Sequence, residues 1–199
     1  FYTSLQVLLS SHEKQSMQLD EIRNDFSKVM QEQMQMMWAS KLGLSTSNEE
    51  LFKELEILMI QTSVDYTMFF RELSEIPEDI NPLKNSFYKD LTKDEELQKR
   101  WSQWFIKWKS LINVTNISST KSKEELSKEM KLLNPKYTLR EWFLVPAYKK
   151  AKEGDYSLIK ELQEIMTNPY DEQSKEVEEK YYRLKPSEFF AVAGISHVS

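Results

Sequence analysis

The side chains best suited to acid–base or metal chemistry are two histidines and two groups of clustered carboxylates. His12 and His197 stand near opposite ends of the 199-residue chain. Neither belongs to an HExxH-type pattern, in which two imidazoles one helical turn apart grip zinc. Neither lies in the nucleophile context of a catalytic triad. Glu49, Glu50, Glu54 and Glu56, and again Glu176, Glu178 and Glu179, have the density from which an acid–base pair is built. Their place on polar helix faces makes solvated surface acids the expectation. No GxGxxG, no GxxxxGK[ST], no His-Arg-Asp and no Asp-Phe-Gly occurs. Cysteine is absent, which removes thiolate catalysis, disulfides and cysteine metal sites from this chain. No catalytic, cofactor-binding or metal-ligating residue is therefore expected here.

The composition agrees. Forty per cent apolar and 12% aromatic residues suit a globular chain, and 30% charged residues suit exposed helix faces. A net charge of −5 gives no electrostatic case for nucleic acid or an anionic membrane. Three glycines, against a usual share of roughly 7%, leave little scope for phosphate loops or hairpins. An all-α fold is expected. No apolar run approaches the ~20 residues of a membrane span, and no signal-peptide pattern is visible. Phe1-Tyr2-Thr3-Ser4-Leu5 reads as the inside of a helix without an initiator Met, which suggests a fragment. Asn113-Val114-Thr115 and Asn116-Ile117-Ser118 match the glycosylation pattern, which matters only in a secreted protein.

The elements follow from apolar spacing and stop signals. Phe1, Leu5, Leu8 and Leu9 share one face of a helix end, followed by a polar interval to Gln18. A helix of about six turns then runs from Leu19 to a stop at Gly43. Its Met30, Met34, Met36 and Met37 are expected to pack in an irregular helix interface, the alternative being a partner surface. Ser47-Asn48-Glu49-Glu50 reads as a capping box before Leu51, Leu55, Leu58 and Met59. Phe69, Phe70 and Leu73 mark a short helix ending near Pro77. Residues 77–89 form a loop, and Thr92-Lys93-Asp94-Glu95 is a second capping box. Behind it Trp101, Trp104 and Trp108 share a face. Without interleaved basic residues, that face is core rather than a stacking platform for bases or sugars. Asn113 to Lys121 reads as a mobile loop, and Ser122-Lys123-Glu124-Glu125 as a third capping box.

Asn134 to Tyr170 is expected to be a helical hairpin, with Leu139, Trp142, Phe143, Pro146, Ala147 and Ala151 on one face of its first helix. Gly154 ends that helix and Asp155 caps the next. Asn134-Pro135 and Asn168-Pro169 bracket the pair. Asp171 to Lys180 is a charged linker or weak helix, and Ser187 to Gly194 an apolar tail docked on the body. The whole reads as one helical unit, 1–199. Its sub-blocks 1–76 and 90–170 are joined by loop 77–89, and a charged linker and tail, 171–199, follow.

Several blocks resemble, in order, the C-terminal part of the selenoprotein O family (SelO, also called YdiU). They are Lys41-Leu42-Gly43-Leu44, Val64-Asp65-Tyr66-Thr67, Phe70-Arg71-Glu72-Leu73, the Trp101/Trp104/Trp108 helix, Asn134-Pro135-Lys136-Tyr137, Leu139-Arg140, Gly154-Asp155-Tyr156 and Asn168-Pro169-Tyr170-Asp171-Glu172. The similarity covers essentially the whole chain. It implies an irregular multi-helix bundle forming the C-terminal part of a protein-kinase-like fold. It also implies transfer of AMP from ATP, with Mg²⁺ or Mn²⁺, to Ser, Thr or Tyr of protein substrates. The implied partners are an upstream kinase-like catalytic core in cis and those protein substrates, with no nucleic acid and no membrane span. Location would be mitochondrial in a eukaryote and otherwise cytoplasmic, with a link to redox regulation. ATP and metal would bind upstream, so no family site residue maps onto a position here, and this fragment alone would be inactive.

The chain departs from the family pattern at Glu141 and Val145, where Asn and Gln are common. Pro146 should kink its helix or start a new one. The family ends with a short Cys or selenocysteine motif; the sequence stops at Ile195-Ser196-His197-Val198-Ser199 without it, either because it is cut just before that motif or because this member lacks it. Tyr137 and Arg140 are expected to tie the hairpin to its neighbours. The competing reading is a free-standing helical interaction module without catalysis; a heme or metal protein would have only His12 and His197 to offer.

Overall fold

The computed structural model describes residues 1–9, 11–119 and 121–190. Among them nine α-helices form and no strand, apart from one isolated antiparallel bridge between Val64 and Phe87. The fold is all-α. Helices α1 (Tyr2–Leu9) and α2 (Glu13–Lys41) make a projecting arm; α1 buries no residue, and α2 buries only Ala39 and Lys41. Helix α2 starts at Glu13, inside the polar interval expected to precede it. Glu, Lys and Gln are good helix formers and no breaker intervenes, so it runs about eight turns instead of six. It ends as expected at Gly43 (φ 69°), whose amide and that of Leu44 return to the carbonyls of Ser40 and Ala39. The positive φ favours glycine there, and a Cβ would also lie 2.6 Å from Met130 Sδ, so that side chain would have to shift.

A first core then assembles from the end of α2, α3 (Glu49–Thr62), α4 (Tyr66–Leu73), α5 (Glu95–Ser119) and α6 (Lys123–Leu133). Leu51, Leu55 and Leu58 are fully buried at helical spacing, facing the three indoles of α5. Trp101, Trp104 and Trp108 are fully buried core residues. Each indole N–H finds an acceptor, at Thr62 Oγ1 (2.8 Å), Leu51 O (3.0 Å) and Leu42 O (2.9 Å). Segment 77–89 is more than a connector, because a 3-10 turn at Pro82–Ser86 places Leu83 and Phe87 in the same core. Ile76 adopts a positive φ of 49°, uncommon for a β-branched residue, and is held there with its side chain buried.

The second core is built by α7 (Glu141–Lys152), α8 (Ser157–Thr167) and α9 (Lys175–Tyr181) around Trp142, Phe143, Ala147, Leu162 and Ile165. Gly154 (φ 85°) closes α7 as expected, with Asp155 N–H returning to Lys150 O. The hairpin and its Asn134 and Asn168 stops are present. Of the tail, residues 187–190 dock, with Phe189 against Trp142 and Phe190 against Tyr88; the rest of it, 191–199, lies outside the described residues.

Several local expectations are corrected. The cap of α3 is Asn48, which accepts from Leu51 N, not Ser47. Asp94, not Thr92, accepts from the first turn of α5, because residues 91–93 form their own 3-10 turn capped by Asp90. The loop expected at Asn113–Lys121 is helical to Ser119. Asn, Thr and Ser cost only tenths of a kcal/mol each in a helix already propagating from a packed segment, and no Gly or Pro stops it. Asp155 caps α8 from one position further out, accepting from Ser157 N, with Tyr156 at the N-cap position. Leu139 precedes α7 and is exposed instead of joining its apolar face. Pro146 sits inside one continuous helix and starts no new one. The Ser122 capping box forms with both of its hydrogen bonds.

Candidate functional site

The seam between the two cores holds most of the buried charge. Helix α4 turns Phe69, Phe70 and Leu73 into the first core, which leaves Arg71 and Glu72 facing the segment that carries Asn134 to Lys136 and helix α9. Arg71 is 4% exposed. It donates to Asn134 O (3.2 Å) and to Glu172 Oε1 (2.6 Å). Lys136, also buried, donates to the other Glu172 oxygen and reaches Glu178 at 3.2 Å, with its ammonium 4.9 Å from the centre of the Tyr182 ring. Tyr182 donates to Glu72 Oε1 (2.8 Å). These groups, with Lys131 and Glu75, line a polar cleft of about 330 Å³.

Burial works against ionisation of Glu172, but hydrogen bonds from Lys136 and Arg71 outweigh it and hold its carboxyl below the ordinary value of 4.5. Burial likewise opposes the charge on Lys136, and its two carboxylate partners more than restore it. Glu72 goes the other way. Burial raises it, with the Tyr182 hydrogen bond pulling against that rise.

Two further polar ties cross the seam. Asn134 donates to Lys41 O (3.1 Å) and Ser74 Oγ (2.9 Å) and accepts from Lys41 Nζ (2.6 Å). The Lys41 ammonium lies beside the Tyr66 and Phe70 rings, and burial pushes it down to about 8. Asp65 forms a two-pronged ion pair with Arg140, its Oδ1 accepting from Nη2 at 2.9 Å, while the same oxygen caps α4 at Met68 N (3.0 Å). Chemically this is a clamp. A raised acid such as Glu72 is what proton transfer needs, yet its oxygen is engaged by Tyr182 and its neighbours are already paired.

The clamp has a pH signature. Because Glu172 is held below its ordinary value in the folded chain, its stabilisation is present above about pH 5 and fades as pH falls through the lowered value. Glu172→Gln should cost about 1–2 kcal/mol at pH 7, at the lower end for charged hydrogen bonds because its carboxylate is half exposed. Urea midpoints of the two proteins should converge as pH falls below that lowered value. A pH-independent difference would show that the carboxylate charge contributes nothing.

The side chains singled out in the sequence are scattered. His12 precedes α2 with its ring 3.1 Å from the Ser11 hydroxyl, and His197 lies outside the described residues. Glu49 pairs with Lys53, Glu50 with Lys107, and Glu179 with Lys175, all at the surface. Only Glu178 joins the seam. Among the described residues, no three acids or histidines converge as a metal site. The seam's Asp65, Arg71, Lys136 and Glu172 were missed as a set. The available signal was a charged residue inside Phe-Phe-Arg-Glu-Leu, where an apolar one would be usual.

The other feature is apolar. Met30, Met34, Met36 and Met37, expected in a helix interface, are instead exposed by 44–62%. They lie on the stretch of α2 that projects beyond the first core. A groove of about 490 Å³ runs between this face and the start of α3, lined by Phe26, Met30, Met34, Trp38, Leu44 and Phe52.

A family model described as "Protein adenylyltransferase SelO" matches residues 1–167. The chain is also similar to proteins named protein nucleotidyltransferase YdiU. That of Vibrio parahaemolyticus is 34% identical over 171 residues, covering 84% of this chain and 34% of that protein. That of Flavobacterium johnsoniae is 33% identical over 172 residues, 82% of this chain and 32% of that protein. That of Photobacterium profundum is 35% identical over 164 residues, 77% and 31%. The chain thus spans about a third of the length of these curated relatives.

Proposed function

The chain belongs to the SelO family, and on that premise we propose that it is the helical C-terminal region of a protein nucleotidyltransferase that moves AMP from ATP onto Ser, Thr or Tyr of protein substrates. The observation that carries this reading is the family match over residues 1–167. In this reading the chemistry belongs to a kinase-like catalytic part upstream in the same polypeptide. The helical region buttresses that part, shapes the surface offered to protein substrates and positions a redox-linked tail. ATP and Mg²⁺ or Mn²⁺ would be held by the catalytic part. Among the described residues the seam's acids do not fit a metal, because they are spent on Arg71, Lys136 and Tyr182. A mitochondrial location follows in a eukaryote, a cytoplasmic one otherwise.

The clamp gives this role a physical basis. A buttress must hold its shape under load, and the seam ties residues about a hundred positions apart with charge-assisted bonds. The test is AMP transfer from labelled ATP by the complete protein with Mg²⁺ or Mn²⁺. Label on protein hydroxyls is the expected result. No label with either metal overturns the proposal. It would favour a helical interaction module, the reading to which the exposed methionine face lends weight.

A further inference from the structure

The arm formed by α1 and α2 carries an apolar face that no described residue covers. Ile22, Phe26, Val29, Met30, Met34 and Met36 are each at least 44% exposed. At ~100° per residue they sweep roughly 160° of the helix circumference. A two-stranded coiled coil needs only a narrow seam, so this width suits a helix packed from more than one side. Helix α1 occupies one edge, through Tyr2 against Asp20 and Arg23. The other edge has a surplus of acid, with Glu21, Asp25 and Glu32 exposed beside the single base Lys28, and the three acids are in no ion pair among the described residues. The adjoining groove is rimmed by Ser27, Gln31, Gln35 and Asn48 and carries no base. An antiparallel second copy would set two edges with a surplus of acid against each other, which disfavours it.

We infer that this face seats an amphipathic helix of the catalytic part of the same polypeptide, with apolar anchors at i, i+4 and i+7 and Lys or Arg along the side that meets Glu21, Asp25 and Glu32. The inference rests on the reading that a catalytic part shares the polypeptide. The family match begins at residue 1 and so includes the arm, and the relatives that match are about three times longer than the aligned third. The arm therefore goes with the family. An apolar face this large, rimmed with polar groups, is normally an interface.

The experiment uses the complete protein. Met30, Met34 and Met36 should oxidise with peroxide at least about tenfold more slowly in the native protein than in the same protein unfolded in urea. Phe26→p-benzoylphenylalanine should cross-link, on irradiation, to a peptide of the same polypeptide outside residues 1–199 that carries Lys or Arg. Oxidation at the unfolded rate overturns the inference, as does a cross-link to a second copy or to another protein. AMP transfer with an unprotected face would sink the docking surface and leave the proposed activity standing. Protection with the intramolecular cross-link but no transfer would do the reverse.

Discussion

Asp65→Ala is expected to lower the free energy of unfolding by about 4 kcal/mol, the cost of leaving a buried charge without its partner. Both members of the Asp65–Arg140 pair are below a tenth exposed, so solvent cannot take over the role of the missing carboxylate. The substitution also removes the side-chain cap of α4, an effect of about 1 kcal/mol. Asp65→Asn separates the two contributions, because asparagine caps as well as aspartate but carries no charge. It should recover about that 1 kcal/mol and no more. Urea denaturation of both variants measures this. A loss below about 1 kcal/mol for Asp65→Ala would mean that the pair is solvated and that the hairpin is held by its apolar face alone. The double variant Asp65→Ala/Arg140→Leu should be less destabilised than Asp65→Ala, since the orphaned cation is gone.

Trp104→Ala should be comparably damaging, at about 3–5 kcal/mol, from lost transfer free energy and the cavity left behind. Trp104 is fully buried, lies parallel to Trp108 (4° between planes, 6.2 Å between centroids) and meets Trp101 edge to face. Its neighbours are large rings that cannot collapse into the space. Trp104→Phe keeps most of the apolar contact and loses the bond to Leu51 O, so about 1–2 kcal/mol is expected. If the alanine variant were as stable as the phenylalanine variant, the indole would not be filling the core. Neither substitution touches the α2 face, so the intramolecular cross-link from position 26 should persist at temperatures where the variants remain folded.

The comparison between sequence and structure divides along the range of the forces involved. Signals that act within one helical turn were legible. Gly43, Gly154 and the Ser122–Glu125 box all stand where local backbone geometry demands them. So was the tryptophan face, because three bulky apolar side chains at helical spacing have nowhere else to go. Near-misses arose where two caps compete within a few residues. Asn48 directly follows Ser47 and Asp94 lies two residues after Thr92, and tertiary packing decides which residue begins the helix. The seam was illegible for a different reason. Arg71 and Glu172 are 101 residues apart, and nothing local to either announces the other. The methionines of α2 mark the opposite limit. Their spacing states that the face is apolar, and no spacing states whether this part of the chain supplies the cover.

The placement of the indoles has an optical consequence. Four of the five tryptophans, Trp38, Trp101, Trp104 and Trp108, belong to the first core, while Trp142 alone belongs to the second. The parallel Trp104–Trp108 pair and the edge-on Trp101 are close enough for their excited states to mix. Near-ultraviolet circular dichroism should therefore be dominated by the first core. Trp142 has the Arg183 guanidinium 5.2 Å from its ring, so its emission answers to a charge that the other four do not share. The polypeptide thus carries separate native chromophores for its two halves, and loss of one signal before the other would register the seam parting.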